Sequence, residues 1–502
     1  MEIQVQKGDL ENFKCDALII NLFQGVTNLS GGTGSVDKAL EGLVSKIIKE
    51  DKFEGKEGQI FSFRTLGKLS AKHVIVVGLG NKKDFKTENI RRVAALSIKK
   101  AKELGVRTIG SIVHGTGIGD IAPHSTAQAI VEGTMLADYS FKKFKKADAK
   151  KEAQQGIKIF TLIENDARKI KATQQGVEDG LTTSLGTIFA RDLVNEPSLH
   201  MTPVELVEKA KQIAKSSKGK IRIKVYDKVG LEKMKAGGIL GVAMGSDHPP
   251  YMVHMTWKPQ NAKKKIALVG KAITFDSGGL SLKPSNVMEM MKLDMAGAAS
   301  VLGAFSVLTR IKPQAEIHGI FAACENMPSG KAYRPGDILE TSSGKTIEVL
   351  NTDAEGRITL ADSLHYATKL KPDCIIDLAT LTGACMVGLG DYCAGIMGNN
   401  NKLIDKILDA ADKTGEALWK LPLPKEYHQL IDSKFADMKN IGGKYGGALT
   451  AGLFLQEFVG EIPWAHIDLA GPSFAEIEYV PYIPLGGSGY GVRTLLEFIK
   501  SL

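Results

Sequence analysis

Four carboxylates, two lysines and an arginine fall within three short, glycine-flanked segments of the chain. VGKAITFDSGGLSLKP (269–284) carries Lys271, Asp276 and Lys283, and MKLDMAGAA (291–299) carries Asp294. NTDAEGRITLAD (351–362) carries Asp353, Glu355 and Arg357, just after the run Thr346-Ile347-Glu348-Val349. On extended chain an i, i+2 spacing puts side chains on one face, so Asp353 and Glu355 are expected to project from one face of a strand. If the three segments meet, four negative charges share one site, and each raises the pKa of the others unless something offsets them. Two divalent cations balance that charge, and oxygen donors suit hard or borderline metals. Lys271 then serves as an unusual ligand through its neutral amine, because burial and adjacent cations depress a lysine pKa. None of the 10 histidines lies in these segments, so a metal site here is carboxylate-rich and unlike that of an HExxH enzyme.

Each residue taken singly has a plainer reading. Asp294 suits the acidic start of a helix, Asp353 and Glu355 suit ion pairs with Arg357, and Lys271 suits a strand end at the surface. Phosphate-binding motifs fail on inspection. GLGNKK (78–83) has Lys83 where a GxGxxG fingerprint needs its third glycine, and SSGKT (342–346) has Leu339 where a P-loop needs its first. No GxSxG elbow occurs, and the five cysteines form no CxxC pair. Nucleotide binding, acyl-enzyme chemistry, a disulfide framework and a zinc ribbon therefore lose their usual signatures.

The elements that must position these residues alternate along the chain. Segments 16–23, 73–80 and 156–164 read as buried strands, and 88–104 and 125–139 as amphipathic helices. A long helical period over 167–197 stops at Pro197 and is expected to link two domains. Beyond it, strands are expected at 220–227, 250–259, 263–275, 316–325, 373–381 and 464–471, with helices at 296–311 and 358–370. Several of these strands are apolar without alternation, which suits a sheet covered on both faces. Ligands of such sheets sit beyond the carboxyl ends of the strands, where the three segments fall. The expected division is a domain over 1–165, a linker helix over 166–197 and a larger domain over 198–502.

At 502 residues, with 43% hydrophobic and 24% charged side chains, the chain has an ordinary globular composition with room for two domains. No apolar run reaches the roughly 18 residues of a membrane span, and the start lacks the pattern of a secretory signal. A reduced cytoplasm is the expected setting, with no membrane partner. The formal charge of +9 owes much to FKKFKKADAKKE (141–152), which carries Lys142, Lys143, Lys145, Lys146, Lys150 and Lys151. An exposed face explains that run, and DNA is the alternative partner.

Together the segments resemble the leucyl aminopeptidase (cytosolic aminopeptidase) family of dinuclear metallopeptidases. NTDAEGR (351–357) is the family signature complete, and GKAITFDSGG (270–279) differs from the family's GKGITFDSGG only at Ala272. KLDMAGAA (292–299) corresponds to KKDMGGAA, with Leu293 and Ala296 changed. DLATLTGAC (377–385), NEPSLHMTP (195–203), WAHIDLAG (464–471) and GYGVRTLLEF (489–498) also fit. The resemblance spans 170–502, and before that only the α/β pattern is similar.

It implies a smaller N-terminal, macro-like α/β domain and a larger α/β catalytic domain with a central mixed sheet flanked by helices. It makes Lys271, Asp276, Asp294, Asp353 and Glu355 the metal ligands, with Asp276 and Glu355 bridging two ions, Mn or Zn, with Mg or Co as alternatives. Lys283 is then the group that polarises the scissile carbonyl, and Arg357 holds a bicarbonate acting as general base. Met291, Thr380, Gly383 and Ala470 are implied to line the substrate pocket with Asp294, and Ser473 stands where some relatives carry a larger apolar residue. The implied activity is release of N-terminal residues, leucine and other apolar ones first, from peptides by a water shared between the metals. A homohexamer is also implied. Some bacterial relatives bind DNA besides, which keeps a DNA role for the basic N-terminal domain as the alternative.

Overall fold

The computed structural model describes residues 1–115, 119–148, 150 and 156–502. The chain divides into two compact units, one of Met1–Ser184 with Glu478–Pro484, the other of Leu185–Ile477 with Leu485–Leu502. The division between Ser184 and Leu185 falls inside the helix Ala167–Asn195.

The first unit is built on a six-stranded sheet. Its strands run in the order Glu2–Lys7, Ile159–Glu164, Thr108–Ile112, Ala17–Phe23, His73–Gly80, Ile60–Arg64. All neighbours are parallel except the edge strand Ile60–Arg64. Ala17–Phe23 and His73–Gly80 are buried almost throughout, as their unbroken apolar runs require. Helices Thr87–Glu103 and Pro123–Asp138 form near the expected bounds. Lys143, Lys145, Lys146 and Lys150 are exposed, and Lys151 lies outside the described residues.

The second unit holds an eight-stranded mixed sheet in the order Leu418–Lys420, Ala394–Gly398, Trp464–Asp468, Cys374–Ala379, Lys265–Asp276, Glu316–Asn326, Tyr251–Trp257, Ile221–Tyr226. The four central strands, Trp464–Asp468 to Glu316–Asn326, are mutually parallel. Strands antiparallel to them, Ala394–Gly398 and Tyr251–Trp257, flank this core. Along Lys265–Asp276 the side chains alternate between two apolar layers. Ile266, Leu268 and Ala272 pack with helices Pro203–Ser216, Ala296–Ile311 and Val492–Lys500, whereas Ala267, Val269 and Ile273 pack with Gly237–Ala243, Gly356–Lys369 and Gly447–Gln456. Two-sided burial explains why these strands lack a polar face. The register brings the carboxyl ends of the central strands together, with Asp276 opposite Asn326 and Ala379 opposite Asp468. Among the described residues no helix is long and apolar enough to cross a membrane, and all five cysteines are free.

Candidate metal centre

The strand Lys265–Asp276 delivers two of the site's side chains, Lys271 from its interior and Asp276 from its end. The chain then reverses through Gly278 and Gly279, at φ +84° and +64°, a region that glycine enters without a Cβ penalty. A Cβ on Gly279 would also stand 2.8 Å from Asn326 Oδ1. The turn returns Lys283 to Asp276, with Nζ 2.9 Å from Asp276 Oδ2 and 2.5 Å from Asp353 Oδ1. The other oxygen, Asp276 Oδ1, accepts from Gly278 N (2.9 Å) and Asn326 Nδ2 (2.8 Å).

Asp294 ends the short 3-10 turn Met291–Leu293, two residues before helix Ala296–Ile311. Its Oδ1 accepts from Lys271 Nζ and from Thr380 Oγ1, both at 2.7 Å, and Lys271 Nζ also donates to Thr380 O at 2.9 Å. Thr380 directly follows the strand Cys374–Ala379, so the end of one strand and the start of one helix meet on an ammonium from the interior of the neighbouring strand.

The third segment departs from the expected strand. Residues 351–355 are irregular, and Glu355 sits at the start of helix Gly356–Lys369. Clamping from elsewhere sets this shape. Asn440 Oδ1 accepts from Leu350 N, Asn440 Nδ2 donates to Asn351 O, and Thr352 O accepts from Asn326 Nδ2 and Tyr333 Oη. Asp353 and Glu355 therefore converge through a folded loop and not through a strand pleat. Gly356 matters here, because a Cβ would stand 2.8 Å from Lys271 Cδ and collide with the stem of that buried side chain.

Asp276, Asp353 and Glu355 each present a carboxylate oxygen within 4.8 Å of the others. Lys271 Nζ joins Asp294 to this group, 2.9 Å from Glu355 Oε1. That pairing occupies Oε1, whereas Glu355 Oε2 lacks a donor, as does Asp294 Oδ2. Four carboxylates thus surround two ammonium groups. Burial raises the pKa of Asp294, Glu355 and Asp353, and neighbouring acids add to it. Burial opposes the charge of Lys271 and Lys283, yet the acids outweigh it and raise both. Buried carboxylate oxygens without donors, in a hard oxygen donor set, fit divalent cations.

Arg357 answers one of the plainer readings. It forms no ion pair among the described residues, and its Nη1 donates to Asn440 O at 2.9 Å, while Nε has no partner. Burial pulls its pKa down to about 10. Of the proposed pocket residues, Thr380 is buried, Met291 and Ala470 are half-buried and Gly383 is exposed. The residues that sequence reasoning missed are Asn326, Thr352, Tyr333 and Asn440. None carries charge, and only their hydrogen bonds reveal them.

Two family models match the chain: the cytosol aminopeptidase family catalytic domain over residues 188–496, and the N-terminal domain of the same family over 19–148. The chain is 45% identical over 503 residues to the "Probable cytosol aminopeptidase" of Sulfurihydrogenibium sp. (strain YO3AOP1), covering 99% of this chain and 98% of that protein. The chain belongs to the cytosol aminopeptidase family. It is a metallo-exopeptidase of two α/β domains, the catalytic one carrying the eight-stranded sheet. Among solved structures, a mutant of tomato leucine aminopeptidase is similar with a TM-score of 0.89 at 34% identity, covering 100% of this chain and 97% of that one. The bottromycin maturation enzyme BotP in complex with Mn is similar at 0.85 and 30% identity, covering 97% and 99%. This cytosol aminopeptidase thus shares its fold with a Mn-bound relative and has an acidic cluster suited to such an ion.

Proposed function

We propose that the chain releases N-terminal residues, leucine and other apolar ones first, from peptides, with two divalent cations held by Lys271, Asp276, Asp294, Asp353 and Glu355. The observation that carries this reading is the convergence of Asp276, Asp353 and Glu355 within 4.8 Å, with Glu355 buried and its Oε2 lacking a donor. The ions, Mn or Zn with Mg or Co as substitutes, supply Lewis acidity and lower the pKa of water at the site. With cations in place, the acids would no longer depend on Lys271 for charge balance, and its ammonium would lose a proton to solvent and offer the neutral amine as a ligand.

The chain's own residues do the rest. Lys283, kept as an ammonium by Asp276 and Asp353, donates to the scissile carbonyl oxygen as negative charge develops there. Arg357, with a buried and unpartnered Nε, would hold a bicarbonate, which would supply a general base beside the metals. The free α-amine of the peptide would bind at Asp294, whose Oδ2 has no donor, and at the metal there, which restricts cleavage to the first residue. Met291, Thr380, Gly383 and Ala470 shape a pocket for an apolar side chain. The family resemblance supports assembly as a homohexamer in the cytoplasm.

Hydrolysis of Leu-p-nitroanilide and of its N-acetyl form tests this reading in the wild-type chain and in Lys283→Ala. Cleavage of the free amine alone, lost in the variant, supports it. Equal cleavage of both substrates, or a variant near wild type, refutes it.

A further inference from the structure

The strand Trp464–Asp468 ends on a carboxylate that belongs to none of the three acidic segments. Asp468 is fully buried, at 0% exposure, in a sheet position opposite Ala379. No lysine, arginine or histidine forms a salt bridge with it among the described residues, although its charge is felt by Arg357 and His466; its hydrogen-bond donors are N–H and O–H groups of two connections. Oδ1 accepts from Leu381 N at 3.2 Å, Thr382 N at 3.4 Å and Ala470 N at 3.3 Å, and Oδ2 accepts from Thr382 Oγ1 at 2.7 Å. Thr382 Oγ1 in turn accepts from Cys385 N at 3.0 Å, which caps the helix Gly383–Leu389.

These bonds fix the turn that follows Cys374–Ala379, and that turn reaches the acidic cluster through one residue. Thr380 gives its carbonyl to Lys271 Nζ and its hydroxyl to Asp294 Oδ1. The first Asp468 bond on this turn is to the very next residue, Leu381. The carboxylate therefore stands one peptide away from the group that orients both Lys271 and Asp294. Through Ala470 N it also holds the second connection that borders the site. A buried carboxylate satisfied by four donors is a rigid anchor, because each lost bond leaves an unpaired buried group.

We propose that Asp468 is a positioning residue for this centre. It locks the turn Thr380–Gly383 so that Thr380 holds Lys271 and Asp294 in a geometry ready for metal and for the substrate amine. The inference rests on the metal-site reading above, and it adds a residue that acts only through Thr380 and the pocket wall. Groups that orient metal ligands through hydrogen bonds change metal affinity by roughly 10–100-fold when altered.

The test is Asp468→Asn, which keeps the shape but places an amide against N–H donors. Calorimetric titration with Mn2+ alone reads the centre without reference to turnover, and kcat and KM for Leu-p-nitroanilide are measured at saturating Mn2+. The expected result is Mn2+ affinity weakened by about tenfold or more, with a raised KM. A lower melting temperature with wild-type Mn2+ affinity and wild-type KM overturns the proposal, since that marks a purely structural role. Thr382→Val and Thr382→Ser provide a second arm should Asp468→Asn not fold. Valine removes the hydroxyl donor and is expected to weaken Mn2+ binding in the same direction, while serine restores it; two equal affinities overturn the proposal. If wild type binds Mn2+ without any aminopeptidase activity, the function reading fails while the positioning claim is still decided by the calorimetry.

Discussion

Glu355→Gln separates a residue kept for metal from one kept for stability. The wild-type carboxylate is buried, with Lys271 Nζ 2.9 Å away and Asp276 and Asp353 within 4.8 Å. At an effective dielectric of about 20, Lys271 attracts it by about 6 kcal/mol and the two acids, taken at that outer distance, repel it by about 7 kcal/mol, while Lys283 adds a further attraction and Asp294 a further repulsion. The surrounding charges thus largely cancel, and burial dominates and raises the Glu355 pKa. A neutral amide of the same shape should leave the metal-free chain as stable as wild type or up to about 2 kcal/mol more stable. Metal reverses the order. A site held at a hundredfold its Kd in Mn2+ stabilises the fold by about 2.7 kcal/mol, and the amide forfeits most of that. Thermal unfolding of both chains, with chelator and with excess Mn2+, reads the two signs separately. If Glu355→Gln melts well below wild type in chelator, or keeps the full Mn2+ shift, the electrostatic reasoning is wrong.

Gly356→Ala should reduce Leu-p-nitroanilide turnover by about a hundredfold or more, because its methyl group displaces the buried Lys271 stem, and a small misplacement at a reacting centre has that cost. Steady-state kinetics check it, and a variant within a few-fold of wild type would contradict the packing argument. In the N-terminal unit, burial pulls the pKa of His114 down to about 4, and its Nδ1 lies 2.9 Å from Asn21 Nδ2. The folded state therefore holds a neutral ring. Its stability is full above the ordinary histidine value of about 6.5 and falls as pH drops towards 4, since the unfolded chain takes up the proton first. Between pH 7.5 and pH 5.5 this amounts to about 1 kcal/mol. Denaturant unfolding at the two pH values should show that loss in wild type and a smaller one in His114→Asn.

Much of the catalytic unit was legible before its structure. Apolar runs without alternation mark strands buried on both faces, and the strands Lys265–Asp276 and Glu316–Asn326 lie where those runs do. Charged residues crowded by glycines at strand ends mark the site, and Lys271, Asp276, Asp294, Asp353, Glu355 and Lys283 do converge. What failed was the local geometry of 351–355. A two-residue period describes a strand only if a neighbouring strand pairs with it, and here Asn440 and Asn326 take those backbone groups instead. Neutral side chains such as these, and a carboxylate such as Asp468 embedded in an apolar strand, carry no charge pattern or spacing that points to a site. Their contribution exists only once distant segments are folded together. The N-terminal strands Glu2–Lys7, Ile60–Arg64 and Thr108–Ile112 were missed for a related reason: they are short, and two of them lie at sheet edges where burial is incomplete.

The most direct test of the central claim counts metal against activity. The chain is stripped with chelator, titrated with Mn2+, and assayed at each point for bound metal and for Leu-p-nitroanilide hydrolysis. The account predicts no hydrolysis without metal, and activity that rises to a plateau as the second ion per chain binds. Hydrolysis that survives stripping, or a plateau reached with one ion per chain, would contradict it.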